Sequence, residues 1–338
     1  MRELMKLIDE QPFDTVISVY NAKDVTLKPF AFVLNVSKLR DSSRVAITPG
    51  HMLRRATTNE IEFIKELIAS LFGRHFGRGL WETRRPKTGS GKYVQLPEKQ
   101  WRYFVIEFSS DENLELLEEA LSIAPHELEI GFTLSTATLK TQAVPITVFR
   151  PGRLFQSLSA LSSAVNSKQG GVRTIVGEVE GQQISEIYAR LSAHDHKILD
   201  LHRIIKLLLE LKDLPPFSPL QVLGYFAILE SVLTHQPNPD DRYDSITRQI
   251  TQKLALLNRR WKPAFDYTSF GQATHDTIWS KMYGYRSAIA HGATPEFKGK
   301  LSTLGTADHA NVLIRDAAKQ TIRQALIEPQ LLADLHNC

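Results

Sequence analysis

Near residue 184 the spacing of apolar residues changes from about two to between three and four, and it stays there. Alternation at period two builds strands, whereas repetition at i, i+3, i+4 and i+7 builds helices with one buried face. The change therefore divides the 338 residues into an α+β part, 1–180, followed by an all-α helical bundle, 181–338. That length suits two domains, each with enough chain for its own core.

The first part reads as strands with few helices. After a short N-terminal helix, Val16–Tyr20 and Phe30–Val36 are β-rich runs between turn-forming residues, and Pro49-Gly50 closes the section. Thr58 opens a helix carrying Ile61, Ile64, Leu67, Ile68 and Leu71, with Gly73 to end it. Tyr103–Phe108 is the next strand; Asp111 caps a helix with Leu114, Leu117 and Leu121; and Gly131–Leu134, Val144–Phe149 and Arg173–Val179 read as further strands. Ser157–Gly171 has the composition of a surface loop.

Between Arg74 and Arg102 the chain turns basic and glycine-rich, with Trp81, Tyr93 and Trp101 interleaved. Two readings stand. Either this is a solvated loop, or Arg84, Arg85, Lys87 and Lys92 follow a phosphate backbone while the aromatic rings stack on bases. Thr88-Gly89-Ser90-Gly91-Lys92 is not a P-loop, because Pro86 occupies the position of the first glycine and Tyr93 that of the magnesium-binding hydroxyl.

The second part is expected to begin with one helical segment from Ser185 to Leu211, stopped by Pro215-Pro216. Its histidines, His194, His196 and His202, lack the paired spacing with a carboxylate that a zinc site needs. Leu220–Thr234 follows, with Glu230 on the same face as Leu223, Phe226, Ala227 and Leu233. A carboxylate in an apolar stripe needs a cation or a raised pKa, unless it lies at the stripe's rim. Further helices run from Asp244 to Leu257 and from Asp308 to about Ile327.

Between those two lies Tyr283-Gly284-Tyr285-Arg286-Ser287-Ala288-Ile289-Ala290-His291-Gly292. As a helix from Thr277, it gathers Ile278, Met282, Tyr285 and Ile289 into a core stripe. Trp279, Arg286, Ala290, Tyr283, Ser287 and His291 fall in an opposite arc of about 140°. Gly292 stands where a left-handed cap ends a helix, which puts His291 at the C-terminus. Arg286 is the cation best placed to meet Glu230. Arg190/His196 and Arg44/His51 have similar spacings, but the first is highly charged with no closing glycine, and the second runs through Thr48-Pro49-Gly50.

The Arg286–His291 spacing resembles the Arg-x4-6-His signature of the HEPN superfamily, and Arg286–Gly292 is similar to the form it takes in Apea-like HEPN domains. The resemblance covers roughly the last 120 to 150 residues. It implies a dimerising helical bundle and, as in many members, a metal-independent ribonuclease of toxin, abortive-infection or antiphage defence systems. On that footing His291 is the general acid/base and Arg286 the phosphate clamp, with Glu230, Tyr283 and Ser287 in support. The implied partners are RNA, whether tRNA, rRNA or mRNA, a second copy of the chain through the helical domain, and a trigger or antitoxin. No cofactor and no metal are expected. The alternatives are a non-catalytic HEPN dimerisation protein and an RNA-binding regulator.

Composition sets the remaining bounds. The only cysteine is Cys338, which excludes a disulfide scaffold and cysteine-ligated zinc. A net charge of +4 permits nucleic acid as a partner without requiring it. The charged start, Met1–Glu10, is unlike a signal peptide, and no apolar run approaches membrane-spanning length, so a soluble cytoplasmic protein without membrane contact is expected.

Overall fold

A computed structural model of the chain describes residues 14–20, 25–72, 81–82, 84–86, 93–95, 97–108, 113–134, 138–139, 143–149, 174–195, 198–215, 218–237 and 245–338. The chain divides into two compact units, Met1–Ala189 and Arg190–Cys338. The first is built on an antiparallel sheet and the second is helical, an α+β unit followed by an α unit. No helix among the described residues is long and apolar enough to cross a membrane.

Seven strands form the main sheet of the first unit: β1 (Asp14–Tyr20), β3 (Phe30–Val33), β5 (Arg44–Thr48), β6 (His51–Arg55), β9 (Phe104–Phe108), β10 (Ile130–Leu134) and β12 (Ala143–Phe149). Their order is β1-β12-β10-β3-β9-β6-β5, with antiparallel pairing throughout. Every residue of β3 and of β10 is buried, the pattern of strands covered on both faces. Short pairs complete the unit: β2 (Val25–Thr26) with β11 (Thr138–Leu139), β4 (Val36–Leu39) with β13 (Thr174–Val176), and β7 (Arg84–Pro86) with β8 (Tyr93–Gln95).

Helix α1 (Thr58–Phe72) lays Ile61, Ile64, Leu67 and Ile68 on Phe30, Phe32, Phe132 and Leu134. It starts with a capping box, in which Glu60 Oε2 accepts from Thr57 N at 2.7 Å and Thr57 Oγ1 from Glu60 N at 3.4 Å. Glu60 also takes both arms of Arg54, at 2.8 Å each, and the same guanidinium donates to Glu107 at 2.6 Å. Trp81 belongs to this core: it is 2% exposed, lies 5.1 Å from the Phe32 ring, and donates Nε1 to the Leu34 carbonyl.

Several boundaries differ from the sequence reading, for local reasons. Pro49-Gly50 does not close a section; it is the turn of the β5–β6 hairpin. The helix after β9, α2 (Leu114–Ile123), is capped by Asn113, whose side chain accepts from Leu116 N. The strand expected to reach Val179 stops at Val176, because Glu180 Oε2 accepts from Gly177 N and starts α3 (Glu178–Ser192) instead. The single helix expected from Ser185 to Leu211 is two, with α4 (Leu201–Leu211) restarted by Asp200, which accepts from Arg203 N at 3.1 Å.

The second unit continues with α5 (Pro219–Leu233), α6 (Ile246–Asn258), α7 (His275–Ala290), α8 (Ala307–Ile327) and α9 (Pro329–Asn337). Ser218, Ser245, Thr274 and Thr306 cap α5 to α8 through their side-chain oxygens. Helix α5 packs against α4, α6, α7, α8 and α9. A helix surrounded in this way must be apolar nearly all round, and Val222, Tyr225, Phe226, Ile228, Leu229, Val232 and Leu233 are buried. Glu230 is the acidic exception.

Candidate active site

Helix α7 carries the residues singled out from the sequence. Ile278, Met282 and Tyr285 are buried as the core stripe, and Thr274 Oγ1 accepts from Thr277 N at 3.3 Å to begin the helix. Trp279, expected on the opposite arc, is buried as well. Its indole N–H donates to Tyr267 Oη at 3.1 Å, Tyr267 Oη lies 3.0 Å from His275 Nδ1, and His275 Nε2 lies 2.9 Å from the Thr251 carbonyl. The carbonyl can only accept, so His275 donates from Nε2 and its Nδ1 accepts from the tyrosine. The relay ties the start of α7 to α6.

The other end closes as the sequence implies. Gly292 has φ +68°, Gly292 N donates to Ile289 O at 3.0 Å, and Ala293 N donates to Ala288 O at 2.8 Å. Those two bonds are a Schellman closure, with His291 as the C-cap residue. The His291 imidazole is exposed and has no hydrogen-bond partner among the described residues.

One turn back, Arg286 meets Glu230. Arg286 Nη2 is 3.3 Å from Glu230 Oε1, and the two side chains are 31% and 21% exposed. The contact is an ion pair without hydrogen-bond alignment, since Glu230 Oε1 is buried and accepts no hydrogen bond. Burial pushes the Glu230 carboxyl above its ordinary value, and Arg286 pulls it only part of the way back. The guanidinium also lies over the Tyr283 ring, 5.3 Å from its centroid, and Phe226 meets that ring edge-on at 5.9 Å. Phe226 and Glu230 on α5 thus face Tyr283 and Arg286 on α7, each pair one turn apart. Chemically this is a cation held between an aromatic face and a carboxylate, still partly open to solvent.

The chain matches no family model, no curated protein and no solved structure.

Of the residues expected to act together, Arg286, Glu230 and Tyr283 are brought into contact. Ser287 is half-buried on the same helix, and neither it nor His291 is bonded to that trio. Arg84 and Arg85 lie in β7, and Lys87 and Lys92 fall outside the described residues. Trp81, which either reading of the basic segment leaves outside the core, one of them stacking it on a base, is committed to the core instead. Trp101 is half-buried with Lys65 Nζ 4.8 Å over its ring. Among the described residues no group of three or more His, Cys, Asp or Glu side chains is placed to hold a metal ion.

Phe226 as a ring support and the Tyr267–His275–Trp279 relay were not anticipated. The first lies one turn before Glu230, a spacing that signals contact only once its partner helix is known. The second joins residues of different segments and leaves no periodic trace.

Proposed function

We propose that the helical unit is a HEPN-type, metal-independent endoribonuclease, acting as a toxin or abortive-infection effector in antiphage defence. The observation that carries this reading is the Glu230–Arg286–Tyr283 arrangement one turn before His291, at a helix end closed by Gly292. Cleavage of RNA by its own 2′-hydroxyl requires removal of that proton, protonation of the leaving 5′-oxygen, and stabilisation of the charge developing on phosphorus. An imidazole suits the proton transfers, because its ordinary pKa lies near neutrality. A guanidinium suits the charge, offering a permanent cation with a planar fork of donors.

One imidazole cannot serve as base and acid in the same step. Two copies of the chain about a twofold axis would supply both His291 rings and both Arg286 clamps to one cleft. The first unit would then sense the trigger or restrain the second. Products should end in 2′,3′-cyclic phosphate and 5′-hydroxyl, and EDTA should leave the rate unchanged.

His291→Ala and Arg286→Ala test the reading. Each should abolish RNA cleavage and toxicity in a protein that stays folded and dimeric. A second reading is favoured by the same ion pair: Arg286, already engaged by Glu230, could hold helices together in a non-catalytic dimerisation protein. That scaffold would show no cleavage in the parent protein and would lose its dimer on Arg286→Ala.

A further inference from the structure

The segment that follows His291 folds back along the end of α7. Phe297 packs edge-on against Tyr285, with ring centroids 5.0 Å apart, and Leu301 is 6% exposed with Cδ2 3.7 Å from where a β-carbon on Gly284 would lie. Both anchoring positions, Gly284 and Tyr285, immediately precede Arg286. Between the two apolar feet the backbone closes on itself: Gly299 N and Leu301 N each donate to Glu296 O at 3.1 Å, and Ser302 N donates to Gly299 O at 3.1 Å. The result is a compact turn whose tip, Lys298-Gly299-Lys300, is exposed.

Neither lysine has an ion-pair or hydrogen-bond partner among the described residues. The turn carries one acidic residue, Glu296, at its base. A loop that merely spans the gap between two helices does not need two apolar anchors against the preceding helix. Those anchors hold the lysine-bearing turn against the C-terminal half of the helix that carries Arg286 and His291. Two residues of extended chain cover at most about 7 Å, so the two ammonium groups can meet neighbouring phosphates of one strand.

We infer that the Lys298-Gly299-Lys300 turn is a phosphate-binding shelf for single-stranded RNA beside the Arg286/His291 helix end. The shelf rests on the ribonuclease reading for its substrate, and acts by ion pairing with backbone phosphates flanking the scissile one. It takes no part in the proton transfers. Its contribution is to affinity, and it is sequence-independent.

The test is equilibrium binding of fluorescein-labelled oligouridine to full-length His291→Ala protein, with and without Lys298→Glu and Lys300→Glu, across a salt series. The two charge reversals should weaken binding at least tenfold at low salt. They should also lower the slope of log affinity against log salt by about 1.4, from roughly 0.7 per single-strand phosphate contact. The milder Lys298→Ala/Lys300→Ala pair should give the same change in slope, and an unaltered melting temperature shows that the fold is kept. Labelled oligothymidine should show the same change. Equal slopes with and without the substitutions, or no binding by the parent protein, overturn the shelf; a change confined to RNA overturns the phosphate contact. The ribonuclease reading fails separately, if His291→Ala still cleaves, and the slope comparison decides the shelf in that case too.

Discussion

Glu230 and Arg286 lie 3.3 Å apart across two packed helices, yet the carboxylate remains harder to ionise than an ordinary one. Burial therefore outweighs the attraction of the cation. A carboxyl whose pKa is raised by folding favours the native state when protonated. Its stabilising effect is fully present below the unfolded value and is lost as pH rises through the native one. Glu230→Gln should thus match the parent protein's melting temperature under acidic conditions and equal or exceed it at neutral pH. Under the proposed ribonuclease function, RNA cleavage should also fall in the same variant as Arg286 loses its counter-charge. A melting temperature clearly below the parent's at neutral pH would show that the pair is net stabilising.

Glycine has different work at the two ends of the Gly284–Gly292 stretch. Gly292 needs φ +68°, so Gly292→Ala should cost about 1–2 kcal/mol in urea unfolding. Gly284 is an ordinary helical residue whose added β-carbon would meet Leu301 Cδ2 at 3.7 Å, a normal contact. Gly284→Ala should be neutral or stabilising by up to about 1 kcal/mol. Reversal of that order would mean that the helix end is not the Schellman closure described.

Removal of the Tyr267 hydroxyl strands two groups at once. Trp279 Nε1 loses its acceptor and His275 Nδ1 its donor, and the indole is buried. Tyr267→Phe should lower stability by about 1–3 kcal/mol, read from chemical denaturation. Phe265→Leu alters the neighbouring ring contact but leaves the relay intact, so it serves as the control.

In the first unit, Arg54 is 11% exposed and holds Glu60, which is 3% exposed. Arg54→Ala would leave a buried carboxylate without its counter-charge, and should cost about 3–5 kcal/mol. Burial works to raise the Glu107 carboxyl, but hydrogen bonds from Arg54 and Lys28 outweigh it and set its pKa below the ordinary value. That stabilisation is present above the unfolded carboxylate value and disappears as pH falls through the native one. Far-UV circular dichroism of Arg54→Ala should therefore show a weaker dependence of stability on pH in the acid range than the parent shows.

Much of the architecture is legible in the chain. The strand runs, the change of period and the helix ending at Gly292 follow from rules of spacing and capping. Contact between Glu230 and Arg286 is one of the outcomes the sequence leaves open for a carboxylate in an apolar stripe, beside a raised pKa or a place at the stripe's rim; the structure shows the contact together with a raised pKa. Where the reading failed, the governing information was not periodic. Leu191, Ile198 and Leu201 keep the helical phase across residues 193–200, so apolar spacing alone joins α3 to α4. Only Asp200, bonded to Arg203 N, marks the new start. Pro49-Gly50 is compatible with a boundary or with a hairpin, and the pairing of β5 with β6 decides between them. Trp81 looks like part of a basic, aromatic surface because Arg78, Arg84 and Arg85 lie close to it in sequence, while its neighbours in space are Phe32 and Tyr103.

The strand order has a consequence for synthesis. Asp14 pairs with Phe149 and Phe30 with Glu107, while among the described strands of the seven-stranded sheet only β5 and β6 are both neighbours and successive in the chain. A ribosome must therefore deliver β12, the last strand of that sheet, before β1 can find its place. Until then the nascent segment offers open edges rich in phenylalanine and isoleucine, at the stage when a translating chain is most exposed to misassembly.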